Sequence, residues 1–509
     1  MRKNCTPVFV LPLLALLSAC EVGPDYMRPD APVPPMFKEN AGWMPASPQQ
    51  AAGWETWWAI FDDPVLDVLE KEVDISNQNL KAAEAAFRAA RAEVSVQRSA
   101  LFPTITGGLS ARVTGSGGNG GVGATTTGGT VITGGGGGSS STRTIYQASL
   151  NGTWDADLWG RIRRIVEGSV ATARASAADI AAARLSAQSE LATDYFALRA
   201  ADEQAKLFQQ TITDFQQALM IAQNRYQAGI ATLADVYAAQ TQVDNAQTAL
   251  VTVELTRAQF EHAIATLTGH PPSEVSIETG VITDTVPVVP AGIPSALLQR
   301  RPDIAASEYN IAAANAQIGV AISAWYPDLT LTGSATTAAT TLGRLFDISN
   351  LVWSVGPQLA ETIFSGGMRE AQTEQARALY EQSVANYRQT VLTAFQQVED
   401  NLAALRILEQ SAAAQARTVQ DARMAEELTL NQYRAGTVDF TAVITAQTTR
   451  INAENTAINI LNERLAASVG LVVALGGGWS DSQVPQAPDL YRLTADMQAA
   501  MSTDVSTQH

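Results

Sequence analysis

Two periods of hydrophobic and polar residues alternate along this chain. Between residues 104 and 155, and again between 328 and 359, apolar side chains recur at every second position, the mark of strands with one apolar and one polar face. Ile105, Leu109 and Val113 oppose Thr104, Thr106, Ser110 and Arg112 in the first segment; Tyr146, Ala148, Leu150, Gly152 and Trp154 oppose Gln147, Ser149, Asn151, Thr153 and Asp155 in the second. In the third, Leu329 and Leu331 oppose Asp328, Thr330 and Thr332; in the fourth, Leu351, Trp353, Val355 and Leu359 oppose Ser354 and Gln358. Elsewhere the period is helical. Arg161 to Ala228 and Met368 to Ala435 contain no proline and one glycine, Gly168, so each predicts a helix roughly 100 Å long at about 1.5 Å per residue. Phe208, Ile212, Phe215, Leu219, Ala222 and Tyr226 follow steps of four and three, a coiled-coil seam, and Val236, Ala239, Val243, Ala246, Leu250 and Val253 repeat it past a turn. Gly229 and Gly436 stand where a left-handed cap lets the chain reverse.

The chain is a duplicated unit. Asn224-Arg225-Tyr226-Gln227-Ala228-Gly229 returns as Asn431-Gln432-Tyr433-Arg434-Ala435-Gly436, an offset of 207, with Gly160 on Gly367 and Gly269 on Gly476. Ala100-Leu101-Phe102-Pro103 answers Ala324-Trp325-Tyr326-Pro327, and Leu80 answers Ile304, at 224. The first copy therefore carries 17 extra residues between Pro103 and Gly160, within a Gly, Thr and Ser tract. Each copy reads as helix, strand, loop, strand, very long helix, sharp turn, long helix. The expected divisions are a signal at 1–19, an extended segment at 20–62, a first repeat at 63–270 with a Gly/Thr-rich loop at 115–142, a linker at 271–294, a second repeat at 295–476 and a C-terminal segment at 477–509.

Half-buried strands of a soluble sheet alternate as a membrane barrel does, so the strands alone leave the choice open. Their number decides it. Four strands per chain cannot close a barrel, and open edges are not tolerated in lipid, so several chains must share one. Two copies would give eight strands and a filled interior, three would give twelve and a wet lumen, which long helices would prolong as a tunnel. No unbroken apolar stretch beyond the signal reaches the ~18 residues of a spanning helix.

The N-terminus fits export, with Arg2 and Lys3 ahead of the apolar run Val8 to Leu17. Leu17-Ser18-Ala19-Cys20 resembles the bacterial lipobox, which makes Cys20 the expected lipid attachment point and leaves no cysteine pair for a disulfide. Glu21 at the next position fits sorting to the outer membrane. A net charge of -17 excludes a nucleic-acid partner. Three histidines, His262, His270 and His509, lack ligand spacing, and no metal or other cofactor is expected. Gly115-Ser-Gly117-Gly-Asn-Gly120 matches a dinucleotide fingerprint literally, but no helix follows it. No serine elbow or P-loop occurs, so no enzyme is expected.

Nearly the whole chain, from Trp54-Glu55-Thr56-Trp57-Trp58 and Asp62-Asp63-Pro64 to Leu475-Gly476-Gly477-Gly478-Trp479, resembles the TolC/OprM outer membrane factor family in its NodT-type lipoprotein branch. The marks are the two turn motifs ending at Gly229 and Gly436, Leu158-Trp159-Gly160 with its echo Phe364-Ser365-Gly366-Gly367, and Arg300-Arg301-Pro302-Asp303-Ile304. The resemblance implies a mainly α fold with a transmembrane β part: a homotrimer with a twelve-stranded barrel continued by a twelve-helix periplasmic tunnel. It implies outer-membrane lipid around the barrel, a periplasmic adaptor on the turns at Gly229 and Gly436, an inner-membrane RND-type or ABC-type pump behind it, and passive efflux of drugs or other small molecules. Gate residues implied at the tips are Tyr226, Asp235 and Tyr433. Asp439 is expected to stand in for the acidic rings of TolC, because Ala442 and Thr445 occupy their positions here, and Arg434 to pair with Asp235 or Asp439. A type I protein-secretion duct shares this fold, and a structural coiled-coil envelope lipoprotein is the rival from another class.

Overall fold

A computed structural model describes residues 21–39, 54–116, 141–287, 289 and 297–491. The expected signal, Cys20, most of the Gly/Thr loop and the last residues of the C-terminal segment lie outside the described residues. Two compact units form: one from residues up to Tyr26, 92–170 and 313–380, the other from 27–91, 171–312 and 381 onward. In chain order the elements are α1 (Pro64–Ser76), α2 (Gln78–Ser99), β1 (Thr104–Ser116), β2 (Ser141–Asp155), α3 (Arg161–Gln227), α4 (Leu233–Leu267), α5 (Pro302–Ser323), β3 (Asp328–Ala339), β4 (Leu351–Ala360), α6 (Met368–Arg434) and α7 (Phe440–Ala474).

The first unit holds an antiparallel sheet in the order β1-β2-β3-β4. Its register carries every alternating segment onto common faces. Leu109 pairs with Ala148, Leu150 with Ala335, Trp154 with Leu331, and Ala335 with Trp353, so the apolar positions of all four strands share one side. Ser110 pairs with Gln147, Asn151 with Ser334, and Ser334 with Ser354, which joins the polar positions on the other. Neither side is covered by the described residues: Leu109 is 77% and Trp353 70% exposed on the apolar side, and Gln147 and Ser354 are exposed on the polar one. β1 and β4 each pair on one edge only among the described residues.

The second unit is helical, and the duplication is visible residue by residue. α3 and α6 are both 67 residues long and start at 161 and 368; α4 and α7 are both 35 and start at 233 and 440, each a shift of 207. The ends that close the repeats are built alike. At Gly269 (φ 77°) a Cβ would meet Ser76 O at 2.3 Å, and at Gly476 (φ 97°) it would meet Arg300 O at 2.1 Å, so only glycine allows both the turn and the approach. Beside the first, Asn77 Nδ2 donates to Leu267 O (2.8 Å); beside the second, Arg301 Nη1 donates to Ala474 O (3.1 Å). Asn77 and Arg301 are counterparts at the 224 offset, so two side chains of different chemistry satisfy the same helix-end carbonyl.

Around these ends Trp57, Leu66, Val73, Leu191 and Phe196 are buried. Asp63 caps α1 by accepting from the amides of Val65 and Leu66, and it accepts a third bond from Tyr195 Oη at 2.7 Å. Residues of the expected linker are held by arginines: Arg199 Nη1 donates to Glu278 O (2.7 Å) and Arg257 Nη2 to Ile277 O (2.6 Å), while Asp202 joins the two guanidinium groups. α7 corrects one expectation. Over an 18-residue window it is apolar enough to qualify as a membrane span, which a search for unbroken apolar runs misses. Its Leu465, Val469, Leu471 and Val472 are buried by protein.

Candidate functional site

Two regions carry the features expected of a duct, and each lies within one unit. In the second unit the turns at Gly229 and Gly436 end α3 and α6 with the same cap. Gly229 (φ 74°) donates to Tyr226 O and Ile230 to Arg225 O; Gly436 (φ 78°) donates to Tyr433 O and Thr437 to Gln432 O. This double bond pattern satisfies the last helix carbonyls and needs a left-handed residue, which is why glycine stands at both places. Thr232 and Asp235 then open α4 with a reciprocal capping box: Asp235 Oδ2 accepts from Thr232 N at 2.9 Å, and Thr232 Oγ1 accepts from Asp235 N at 3.3 Å. Asp439 opens α7, its Oδ1 accepting from Ala442 N at 3.0 Å.

Between the two turns Tyr433 and Phe440 pack 5.3 Å apart, with Ala218, Ala222, Ala239 and Val443. Alanines of the first copy thus make room for rings of the second. Arg225 locks this contact: its guanidinium lies 4.6 Å from the Tyr433 ring centre and Nη1 donates to Tyr433 O at 2.7 Å. Burial raises the Tyr433 phenol above its ordinary range, Arg225 working against it. Tyr226 by contrast is exposed, although the heptad placed it in the seam. Arg434 is exposed and makes neither expected pair, with Asp235 or with Asp439, among the described residues; Arg225 is the arginine the tip uses.

One cluster escaped the sequence reading. Arg450, buried on α7, binds Glu454 (2.9 Å), Asp214 of α3 (3.1 Å) and Glu426 of α6, and Arg423 adds a bond to Glu454 at 2.6 Å. Burial raises the Glu426 carboxyl, Arg450 opposing this. The sequence signal was Arg450 and Glu454 at i,i+4 spacing on a helix whose other charged residues are Glu463 and Arg464.

In the first unit the strand ends that lead to the helices carry aromatic side chains. Trp154 Nε1 donates to Leu101 O (3.0 Å) and Trp159 Nε1 to Pro327 O (2.9 Å), Trp159 stacks on Tyr326 at 4.7 Å, and Phe102 and Phe364 are exposed at the same end of the sheet. Amphipathic rings at the rim of an apolar strand face are suited to a membrane–water boundary.

Residues 70–270 and 293–477 match the outer membrane efflux protein family. The chain belongs to that family. The probable efflux pump outer membrane protein TtgC of Pseudomonas putida is 30% identical over 91% of this chain and 94% of its own length. The cation efflux system protein CusC of Escherichia coli is 28% identical over 93% of this chain and 99% of its own. Among solved structures, the outer-membrane channel OprN aligns with a TM-score of 0.80 at 27% identity, over 90% of this chain and all of the other. The open-state MtrE outer membrane channel of Neisseria gonorrhoeae gives 0.76 at 26%, over 91% and 99%. The channel fold and the outer-membrane efflux role expected from the sequence stand with this membership, and the family and its relatives are channel proteins rather than enzymes.

Proposed function

We propose that this efflux family member is one of three identical subunits of a passive exit duct, anchored by lipid on Cys20 and served by a periplasmic adaptor and an inner-membrane pump. The observation that carries the reading is the open four-stranded sheet, apolar on one side, polar on the other and, among the described residues, unpaired at both edges. Since strand direction alternates, β4 runs opposite to β1, and β4 of one copy can extend β1 of the next in antiparallel register until the ring closes. The polar face supplies Arg112, Arg143, Gln147 and Asn151 to the interior, too many hydrophilic groups for the packed core of an eight-stranded closure. Twelve strands leave room for water around them. The names of the relatives, efflux pump and cation efflux proteins, support small-molecule cargo over secreted polypeptides.

The turns at Gly229 and Gly436 are the surfaces for the adaptor, and Tyr226, Asp235, Tyr433, Arg434 and Asp439 surround the point at which the resting duct narrows. Oligomer mass in detergent and conductance in planar bilayers test the reading together: a trimer that forms water-filled pores supports it, and a monomer or a sealed bilayer ends it. Asp439→Ala and Arg434→Ala should each raise resting conductance; unchanged single-channel conductance in both removes them from the gate.

A further inference from the structure

The motif Leu158-Trp159-Gly160, which the fold alone does not explain, lies against the start of the described chain. Val22 N–H donates to Trp159 O at 3.1 Å. Arg164, one turn into α3 and 3% exposed, donates to Val22 O (3.2 Å), Gly23 O (3.4 Å) and Asp25 Oδ1 (3.2 Å), and its Nε lies 3.4 Å from Glu21 Oε1. Glu167 holds the other side of the guanidinium at 2.7 Å. From α5, Asn315 Nδ2 donates to Pro24 O at 2.9 Å. One amide and three successive carbonyls of an otherwise extended segment are thus met by side chains or backbone of the helices.

The glycines show that the fit is close. A Cβ on Gly160 (φ 80°) would lie 2.8 Å from Glu21 Cγ and 3.1 Å from its Cα; a Cβ on Gly23 (φ 103°) would lie 2.5 Å from Gly319 Cα; one on Gly319 would lie 2.9 Å from Arg164 Cγ. Three glycines on three different segments clear the same space, and burying an arginine requires the partners that the segment supplies.

We infer that the Trp159-Gly160 turn, Arg164, Asn315 and Gly319 form a peptide-binding seat for residues 21–25, and that this seat fixes the height of the lipid anchor. Trp159 carries both halves of the argument, since its carbonyl holds Val22 while its ring belongs to the aromatic rim. Cys20 is one peptide unit, about 3.8 Å between Cα atoms, upstream of Glu21. Acyl chains on it start at the level of Trp159 and Tyr326, and an anchor held there cannot drift relative to the strands. This second half rests on the acylation of Cys20.

The test is a spin label at Pro24→Cys in the full-length protein, read by its line shape, alongside metabolic palmitate labelling and the yield of SDS-resistant oligomer. In the parent the label is immobile. Arg164→Met should shift the bound-to-free ratio of the segment toward free by about tenfold or more, leave palmitate incorporation unchanged and lower the oligomer yield. Gly23→Ala, which spoils the ligand and leaves α3 and α5 intact, should do the same and guards against simple misfolding of Arg164→Met. A label that is mobile in the parent, or that stays immobile in both variants, overturns the seat. The anchor's height is tested by repeating the pair without the acyl chains, with Cys20→Ala behind a non-lipoprotein signal: equal oligomer losses with and without lipid overturn that role. Absence of palmitate from the parent removes the acylation reading, while the line shape still decides the seat.

Discussion

Glu70 on α1 offers a test of how far burial governs this molecule. The side chain is fully buried, and neither carboxylate oxygen has a hydrogen-bond partner among the described residues. Burial, reinforced by the charge of Asp74, pushes its pKa from 4.5 up to about 9. The native chain therefore keeps the proton that an unfolded chain gives up above pH ~4.5, so the folded form binds the extra proton and stability falls as pH rises. The slope from this one group is about 1.4 kcal/mol per pH unit until pH nears 9, and between pH 4.5 and 7.5 it totals about 4 kcal/mol. Glu70→Gln is neutral at every pH and close in shape to the protonated acid. It should match the parent near pH 4.5 and exceed it by several kcal/mol at pH 7.5, a gap worth several degrees in midpoint. Thermal midpoints of the detergent-solubilised protein between pH 5 and 8 supply the measurement. Other buried carboxyls, such as Asp194 raised to about 6, tilt both proteins alike. The decisive quantity is thus the difference between the two curves, and a difference that stays constant with pH refutes the account.

Three further outcomes follow from the geometry. Arg225→Met should lower stability by about 1–2 kcal/mol through loss of the Tyr433 contacts, whereas Arg434→Ala should change stability by less than about 0.5 kcal/mol; equal effects in thermal melts would contradict the placement of the two arginines. Leu109→Arg or Trp353→Arg on the apolar strand face should cost up to about 2–4 kcal/mol of membrane insertion, while Ser354→Arg on the opposite face should alter ion selectivity in bilayers with insertion intact. Gly269→Ala and Gly476→Ala should each destabilise by more than about 2 kcal/mol, to a similar degree, since each collides with a carbonyl at the counterpart position.

Much of this architecture was legible because it repeats. The 207 and 224 offsets were visible in a handful of identical residues, and the helices they imply end within a residue of the observed Gln227 and Arg434. Alternation in four separated segments became one apolar face because period two survives any antiparallel pairing that keeps register. What could not be read was choice among chemically equivalent residues. Tyr226 and Tyr433 occupy matching places in the repeat, yet one is exposed and the other buried. The reason lies across the interface: Tyr433 faces Ala218, Ala222 and Ala239, whereas Tyr226 belongs to no such cluster among the described residues and stays exposed. Likewise Arg225 and Arg434 stand two positions apart in the motif, one before the tyrosine and one after it, and that difference turns a guanidinium from the neighbouring helix toward water. The Arg450 network was hidden for a related reason, since its three carboxylate partners come from three helices, and Asp214 lies in the other copy of the repeat.

The tip thereby separates two jobs that one motif had seemed to combine. Tyr433 and Arg225 are committed within the chain, and losing their contact would loosen the packing between the two hairpins. A gate needs contacts that break without such damage. Asp235 and Asp439 meet that requirement, because each spends one oxygen on its helix cap, Oδ2 and Oδ1 respectively, and keeps the other without a partner among the described residues. Arg434, exposed at the adjoining helix end, offers the complementary charge. Exposed pairs of this kind are worth only about 1 kcal/mol each, and in the proposed trimer a threefold ring would multiply them into a latch of a few kcal/mol that the proposed adaptor could outbid while both caps remain closed.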